Sequence, residues 1–135
     1  MLEDKDAIRD LLHQYCFFMD EGRFSELSAL FSEDGEWIAP YRTAKGPAEI
    51  AAWLQQSVPP RPRRVHYVMN SIIECSDARA TARSNYLVMV EGSDGPLPSV
   101  CGVYDDVLVK RAGGWRFQSR RLIHAFKGDM ALRLP

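Results

Sequence analysis

The sequence predicts an α+β fold in which helices come first and a run of strands follows. Apolar residues recur with helical spacing over the first part of the chain, and after "RPR" they alternate with a period of two. The breaks between the late apolar runs are turn sequences, SDA, GSDGPLP and AGG, which are short enough to join antiparallel neighbours. Helices followed by a meander of strands are typical of the α+β class.

Three helices are expected ahead of the long strands. The first has an apolar stripe with i, i+3 and i+4 spacing, formed by Ile8, Leu11, Leu12, Tyr15 and Met19. Asp4 is placed to cap its start and Gly22 to end it. A second, shorter helix is expected in FSELSALF, and a third in GPAEIAAWLQQ, where Pro47 takes the first helical position.

One short strand is expected between the second and third helices, at residues 36–39, where Pro40 stops it. After the proline-rich loop SVPPRPR, four long strands are predicted at residues 65–75, 78–91, 99–111 and 115–125. A strongly curved sheet of this kind, with helices laid across its concave side, closes around a cavity.

Length, charge and the distribution of apolar residues exclude several classes of protein. The 135 residues suit one domain, 1–135, and the net charge of −1 gives no reason to expect a nucleic-acid partner. The basic run Arg61, Arg63 and Arg64 is broken by Pro62 and is expected to be a solvated loop. The charged start and the lack of a long apolar run predict a cytoplasmic protein without membrane contact.

No metal or cofactor is expected. The three cysteines, Cys16, Cys75 and Cys101, are far apart in the sequence, so reduced thiols are predicted and structural zinc is not. His13 and His124 share no ligand spacing with each other or with a carboxylate pair, and they are expected at the surface and at the rim of the domain.

The chain resembles SnoaL-like domains of the NTF2-like superfamily, which have a cystatin-like α+β cone. The segments that carry the resemblance are IRDLLHQYCFFMDEGRFSELSALFSEDGEWIAP, GPAEIAAWL, RRVHYVMNSIIE with ARATARSNYLV, and GVYDDVLVKRAGGWRFQSRRLIH. It implies three N-terminal helices packed on a strongly curved, mixed, mostly antiparallel sheet that encloses a pocket. The superfamily includes isomerases, dehydratases, cyclases, dioxygenase small subunits and non-catalytic binders.

The resemblance also implies an Asp–His dyad. In members similar to scytalone dehydratase and bile-acid dehydratase, an Asp near the end of the first helix pairs with a His on the first long strand. The matching residues here are Asp20 and His66, and Tyr15 matches a polar pocket position. His66 would then abstract a proton beside a leaving group, Asp20 would orient it, and Tyr15 would donate a hydrogen bond. The third-strand acidic residue of the bile-acid enzyme has no match.

The residues by themselves leave structural alternatives open. Asp20 could equally cap the end of the first helix, and His66 could bond a backbone carbonyl. Tyr15 lies on an apolar stripe and also fits a core aromatic. In the strand YDDVLVK, Asp105 and Asp106 face opposite sides, and one of them is expected to pair with Arg120 or Arg121.

Further side chains are candidates for contact with a substrate. Asn70 shares a face with His66 if the strand is regular. The resemblance implies that a late arginine, Arg120 or Arg121, lines the pocket and binds an acidic group. The remaining candidates, each of which also fits the core or an interface, are Tyr41, Trp37, Trp53, Tyr86 and Phe126.

The sequence thus predicts a cofactor-independent lyase or isomerase of the dehydratase type, acting on a hydrophobic polyketide-, steroid- or aromatic-like substrate. Two alternatives stay open. One is a non-catalytic ligand-binding SnoaL-like protein. The other is the structural β subunit of a ring-hydroxylating dioxygenase, which SNYLVMV and GGWRFQSRRLI resemble. Apolar residues on both faces of the late strands predict a homo-oligomer, a dimer or a trimer.

Overall fold

The computed structural model describes residues 1–127. The helices are α1 (Leu2–Asp20), α2 (Phe24–Ser28) and α3 (Pro47–Ser57), and the strands are β1 (Phe31–Ala39), β2 (Arg42–Lys45), β3 (Arg64–Ser76), β4 (Arg79–Gly92), β5 (Gly95–Arg111) and β6 (Gly114–Lys127). The strands form one sheet in the order β2-β1-β6-β5-β4-β3. Neighbours run antiparallel, except that β1 and β6 are parallel. The predicted α+β class and the mostly antiparallel mixed sheet are confirmed.

Shifts in register curve the long strands of this sheet. They interrupt the pairing of β3 with β4, of β4 with β5, and of β5 with β6 at two points. An extra residue on one strand bends it and increases the local twist. At one of these points stands Gly102, where a Cβ atom would collide with the carbonyl group of Ile123. The close approach of the two backbones therefore requires glycine here.

The helices cover the concave side of the curved sheet and bury a largely apolar core against it. α1 contacts β3 and β6, while α3 contacts α2, β1 and β2. The stripe predicted for α1 is buried, with Ile8 and Tyr15 fully inaccessible to solvent. Gly22 follows α1 with a φ of 69°, so it ends the helix as predicted. None of the helices among the described residues is long and apolar enough to cross a bilayer.

The structure corrects the expected role of Asp4. This residue lies within the first turn of α1, and Met1 occupies the N-cap position. The Asp4 carboxylate instead accepts hydrogen bonds from Lys110 Nζ at 2.9 Å and from Trp115 Nε1 at 2.8 Å. Partners that the fold brings in from β5 and β6 outweigh the local capping preference.

Several elements also differ from the sequence prediction, and among them α2 ends at Ser28 instead of continuing to Phe31. β1 begins at Phe31, because it pairs with β6, and the unexpected strand β2 pairs with β1. Both pairings are decided by tertiary contacts. β5 begins at Gly95 and includes Pro96 and Pro98. Pro98 stands opposite Met89 of β4, next to the register shift between Val88 and Met89, and prolines occur in sheets at such irregular points.

Candidate functional site

A cavity of about 310 Å³ lies between the helices and the concave face of the sheet. Most of its wall is apolar or aromatic, and the polar groups in it are few. The lining residues are Tyr15, Met19, Trp37, Tyr41, Leu54, Ser57, Val58, Arg64, His66, Tyr86, Val88, Ser99, Val100, Tyr104, Leu122 and His124. We refer to it as the main cavity. An apolar cavity with a few convergent polar groups is the usual form of a small-molecule site.

Asp20 and His66 form the pair that the resemblance implies. Asp20 is the last residue of α1, and its Oδ1 lies 2.6 Å from Nδ1 of His66 on β3. The backbone N–H of His66 also donates to both carboxylate oxygens, at 3.0 Å each. Both side chains are mostly buried, with 13% of His66 and 16% of Asp20 accessible. The backbone N–H of His66 therefore holds the Asp20 carboxylate in place, and the carboxylate in turn orients the His66 imidazole.

This pairing determines the chemistry of the imidazole. A carboxylate acceptor at Nδ1 selects the tautomer with its proton on Nδ1, which leaves a lone pair on Nε2. Within the described residues, Nε2 of His66 has no hydrogen-bond partner, and His66 lines the main cavity. Protonation at Nε2 would produce an imidazolium ion next to Asp20, which stabilises it. The pair has the arrangement of a general base.

Tyr15 offers a hydrogen-bond donor in the same cavity. Its hydroxyl accepts a hydrogen bond of 2.9 Å from Trp37 Nε1, and its own proton has no acceptor among the described residues. Burial raises the pKa of Tyr15 to about 12, although the nearby Arg120 guanidinium pulls it down. The hydroxyl therefore stays protonated near neutral pH and can donate to a ligand oxygen. Tyr15 is thus a buried core aromatic whose ring also belongs to the cavity wall.

Two further tyrosines extend this wall. Tyr86 stacks on Tyr104 with ring centroids 4.1 Å apart and planes 10° from parallel. The Tyr86 hydroxyl is buried and has no hydrogen-bond partner in the described chain. Burial raises the pKa of both tyrosines, and that of Tyr104 well above its usual value. A buried hydroxyl without a partner is costly, so a ligand or water that satisfied Tyr86 would be favoured.

Arg120 does not line the main cavity, in contrast to the prediction. It is fully buried, and its Nε and Nη2 donate to the two carboxylate oxygens of Asp106 at 2.9 Å each. Its guanidinium carbon lies 4.2 Å from the ring centre of Tyr15 and 3.8 Å from that of Tyr104. The expected pairing of one aspartate with one arginine is confirmed for these two residues. Arg121 points to the exposed side.

The buried pair is a neutral unit that supports the aromatic wall. Burial raises the pKa of the Asp106 carboxyl, and the guanidinium opposes this by stabilising the charged form. Burial acts to lower the pKa of Arg120, but the charge and the hydrogen bonds of Asp106, together with Tyr104 and Tyr15, outweigh it and raise the pKa above its usual value. Arginine keeps its proton in proteins, so the pair remains ionic.

Asn70 lies outside the site, and a bulge in β3 is the reason. Pairing with β4 shifts between Val68 and Ser71, so the regular alternation that would place Asn70 beside His66 is interrupted. Asn70 is exposed, and its Oδ1 accepts a hydrogen bond of 3.1 Å from Asn85 Nδ2. Sequence periodicity alone could not reveal the extra residue.

The remaining candidates divide between the cavity and other places. Trp37, Tyr86 and Tyr41 line the main cavity, and Tyr41 lies at its rim with 63% of its surface exposed. Trp53 does not line it, since its ring packs under the guanidinium of Arg42, 4.5 Å from the ring centre. The side chain of Phe126 lies outside the described part of the chain.

Five polar lining residues are absent from the site predicted by the sequence, namely Ser57, Arg64, Ser99, Tyr104 and His124. Arg64 was assigned to a solvated loop, yet it begins β3 two residues before His66, so alternation along the strand predicts the same face. His124 was placed at the rim, and it does line the cavity, 6.3 Å from the ring centre of Tyr41. Tyr104 lies two residues before Asp106 on β5, so alternation along the strand places both side chains on the same face. Among residues 1–127, no three His, Cys, Asp or Glu side chains come together as a metal site.

Comparisons with known proteins agree with this fold. A family model described as "SnoaL-like domain" matches residues 1–121. An NTF2-like protein with a cystatin-like fold from Novosphingobium aromaticivorans is 26% identical with a TM-score of 0.87, covering 97% of this chain and 88% of that one. A candidate scytalone dehydratase from the same species is 29% identical with a TM-score of 0.83, covering 95% and 88%. A structure from Catenulispora acidiphila in complex with S-DNPA is 26% identical with a TM-score of 0.82, covering 92% and 95%.

Proposed function

Because the chain belongs to the family of SnoaL-like domains, we propose that it is a cofactor-independent lyase or isomerase that abstracts a proton from a hydrophobic ring compound. The substrate class is a polyketide-, steroid- or aromatic-like molecule with an acidic C–H bond next to a carbonyl. The observation that carries the proposal is the 2.6 Å contact between Asp20 Oδ1 and His66 Nδ1 at the wall of an aromatic cavity. Two of the similar structures support it, a candidate scytalone dehydratase and a protein solved with a bound small molecule.

The proposed reaction begins at His66. Its Nε2 takes a proton from the carbon beside the carbonyl, and the electron pair of the C–H bond moves to the carbonyl oxygen as an enolate. The Tyr15 hydroxyl donates a hydrogen bond to that oxygen, and Asp20 stabilises the imidazolium. In a dehydration, the enolate expels a β-hydroxyl group, and the imidazolium returns the proton to it as water. In an isomerisation, the proton returns to another carbon.

The test does not require the natural substrate. We expect the protein to accelerate exchange of the acidic C1 protons of 2-tetralone with deuterium, followed by proton NMR near neutral pH. His66→Gln should lower the catalysed rate by about 10²–10⁴-fold, which is the usual contribution of a positioned base. His13→Gln is the matched control, because His13 is an exposed histidine on α1 and should leave the rate unchanged.

The outcomes separate catalysis from binding. Calorimetry measures whether 2-tetralone binds at all. Binding without accelerated exchange would contradict the proton-abstraction proposal and favour the non-catalytic ligand-binding alternative. Exchange that survived His66→Gln would contradict the role of His66. Co-purification with an iron–sulfur partner would favour the dioxygenase β subunit.

We also propose that a second copy of this chain covers the outer face of the sheet. Large apolar side chains are exposed on this face, namely Tyr67, Met69, Ile72 and Ile123. Beside them, cross-strand pairing aligns Arg83, Asp105 and Arg121 in a row of alternating charge. A two-fold axis through such a row can bring the acidic residue of one copy to a basic residue of the other.

Light scattering of the purified protein tests this assembly. We expect a dimer related by this two-fold axis. Ile72→Glu should convert it to a monomer, because the substitution would bury a charge in the proposed interface. Phe17→Glu is the matched control, because Phe17 is equally exposed on α1, away from the sheet. A monomeric unaltered protein would contradict the proposal.

A further inference from the structure

Arg64 lies where the main cavity meets a second cavity. The second cavity, of about 230 Å³, is bounded by the end of α1 and by the proline-rich loop at residues 58–63. Arg64 and His66 line both cavities. The two residues alternate along β3 onto the same face, so the guanidinium extends from the strand next to the proposed base.

The guanidinium of Arg64 is held in a fixed orientation. Its Nη1 donates to the carbonyl oxygens of Pro59 and Pro62, at 3.0 and 3.1 Å. Its Nε and Nη2 make no hydrogen bond within the part of the chain that the structure describes. Because the guanidinium is planar, anchoring one nitrogen fixes the direction of the other donors. These donors form the side-on fork that binds a carboxylate through two parallel hydrogen bonds.

Charge distinguishes the two cavities. Among the described residues, the main cavity is lined by no Asp or Glu, and Arg64 supplies its one permanently charged side chain. The second cavity is lined by Asp20 and Glu21 as well as by arginines. A cation against mostly apolar walls attracts an anion more strongly than one in open solvent. An anionic group is therefore favoured at the Arg64 end of the main cavity.

We infer that the substrate carries an acidic group, such as a carboxylate, which Arg64 binds at the mouth of the main cavity. The inference rests on the proposed function and adds to it the charge of the substrate. Arg64 takes the role that the sequence analysis gave to Arg120 or Arg121. Arg120 is occupied by Asp106, and Arg121 faces away. Anchoring the acidic group would determine which ring carbon lies against His66, so Arg64 would select the site of proton abstraction.

Two probes of nearly the same shape, one anionic and one neutral, test the inference by calorimetry. They are 2-naphthoate and 2-naphthamide, which share one ring system. We expect the unaltered protein to bind 2-naphthoate at least about tenfold more tightly than 2-naphthamide. Arg64→Gln should remove this preference and leave the affinity for 2-naphthamide within about twofold. Arg64→Lys should keep only part of it, because an ammonium group preserves the charge but not the fork.

Arg63→Gln is the matched control. It removes the same charge from the adjacent position, which lines the second cavity and not the main one, and we expect the preference to remain. An equal loss in Arg63→Gln would overturn the inference, since a general field would then explain the preference. A parallel loss of both probes in Arg64→Gln would also overturn it, because Arg64 would then act only by holding the loop.

The unaltered protein separates this inference from the proposed function, and it does so even if Arg64→Gln fails to fold. Equal affinity for both probes overturns the acidic-group inference and leaves the ring-binding cavity in place. If neither probe binds, the proposed cavity for a ring compound is itself contradicted, and the inference falls with it.

Discussion

Two aspartate–base pairs in this molecule have similar parts and different surroundings. Asp106 and Arg120 are joined by two hydrogen bonds of 2.9 Å, and neither side chain has accessible surface. Asp20 and His66 are joined side chain to side chain at 2.6 Å, with 16% and 13% accessible. The first pair is closed on every side by rings and strands. The second keeps one imidazole nitrogen at the cavity.

The difference in accessibility suits the two pairs to different roles, one structural and one chemical. A sealed ion pair has no exchange with solvent or ligand, so its effect is to fix the rings of Tyr15 and Tyr104 that pack on the guanidinium. A pair that is open on one side can accept and return a proton without unfolding. The same residue type, Asp, thus stabilises a wall in one place and holds the imidazole of His66, the proposed base, in the other.

The largest expected effect comes from breaking the sealed pair. Asp106→Asn should lower the free energy of unfolding by about 3–5 kcal/mol, because it leaves the Arg120 guanidinium buried without its counter-charge. Urea denaturation measures the change. Asp94→Asn, at an exposed aspartate in the turn between β4 and β5, is the control and should leave the midpoint unaltered. A small loss in Asp106→Asn would mean that the pair is not closed.

The next effect concerns the hydrogen bond between Trp37 and Tyr15 in the wall of the main cavity. Tyr15→Phe removes the acceptor of Trp37 Nε1 and leaves a buried donor unpaired, so we expect a loss of about 1–3 kcal/mol in unfolding free energy. The rate of 2-tetralone exchange should fall as well, because the donor to the enolate oxygen is gone. In the double variant with Trp37→Phe, the stability loss due to the unpaired donor should disappear. An additive result would contradict a direct bond.

The open pair should show the opposite balance between stability and activity. Asp20→Asn keeps one acceptor oxygen and removes the charge, so the free energy of unfolding should fall by only about 1 kcal/mol. Exchange of 2-tetralone should fall by at least about 10²-fold, since the Nδ1–H tautomer is no longer favoured. A stability loss equal to that of Asp106→Asn would remove the distinction between the two pairs.

The smallest expected effect tests the bulge in β3. Asn70→Ala should change the free energy of unfolding by less than about 0.5 kcal/mol and leave exchange unaffected. The Asn70 side chain lies at the surface and, within residues 1–127, bonds only to Asn85. Chemical denaturation and the NMR exchange assay measure both. A marked loss of exchange would mean that the regular strand, with Asn70 beside His66, is the correct description.

The sequence was informative wherever a local pattern sufficed. Helical spacing located α1 and its buried stripe, Gly22 marked its end, and the period of two located the four long strands. The resemblance to SnoaL-like domains then brought Asp20 and His66 together, although they are 46 residues apart. Spacing alone could not do this, because it carries no information on contacts between elements.

The prediction failed where one residue more or less changes the face of a strand. Asn70 was assigned to the cavity and lies outside it, because the bulge after Val68 reverses the alternation. Arg120 and Arg121 could not be told apart as pocket residues, and the structure gives Arg120 to Asp106 instead. Arg64 was read as part of a solvated loop, because three prolines precede it, and it contributes to the cavity wall.

By itself the sequence determined the class of fold, the order of its elements and the residue types able to move a proton, since these follow from periodicity and side-chain chemistry. The tertiary structure decided which of those side chains share a cavity and which are sealed beneath it. Register shifts in the curved sheet set that division, and they depend on the neighbouring strands. Asp106 and Asp20 are therefore alike in the sequence and differ only in the fold around them.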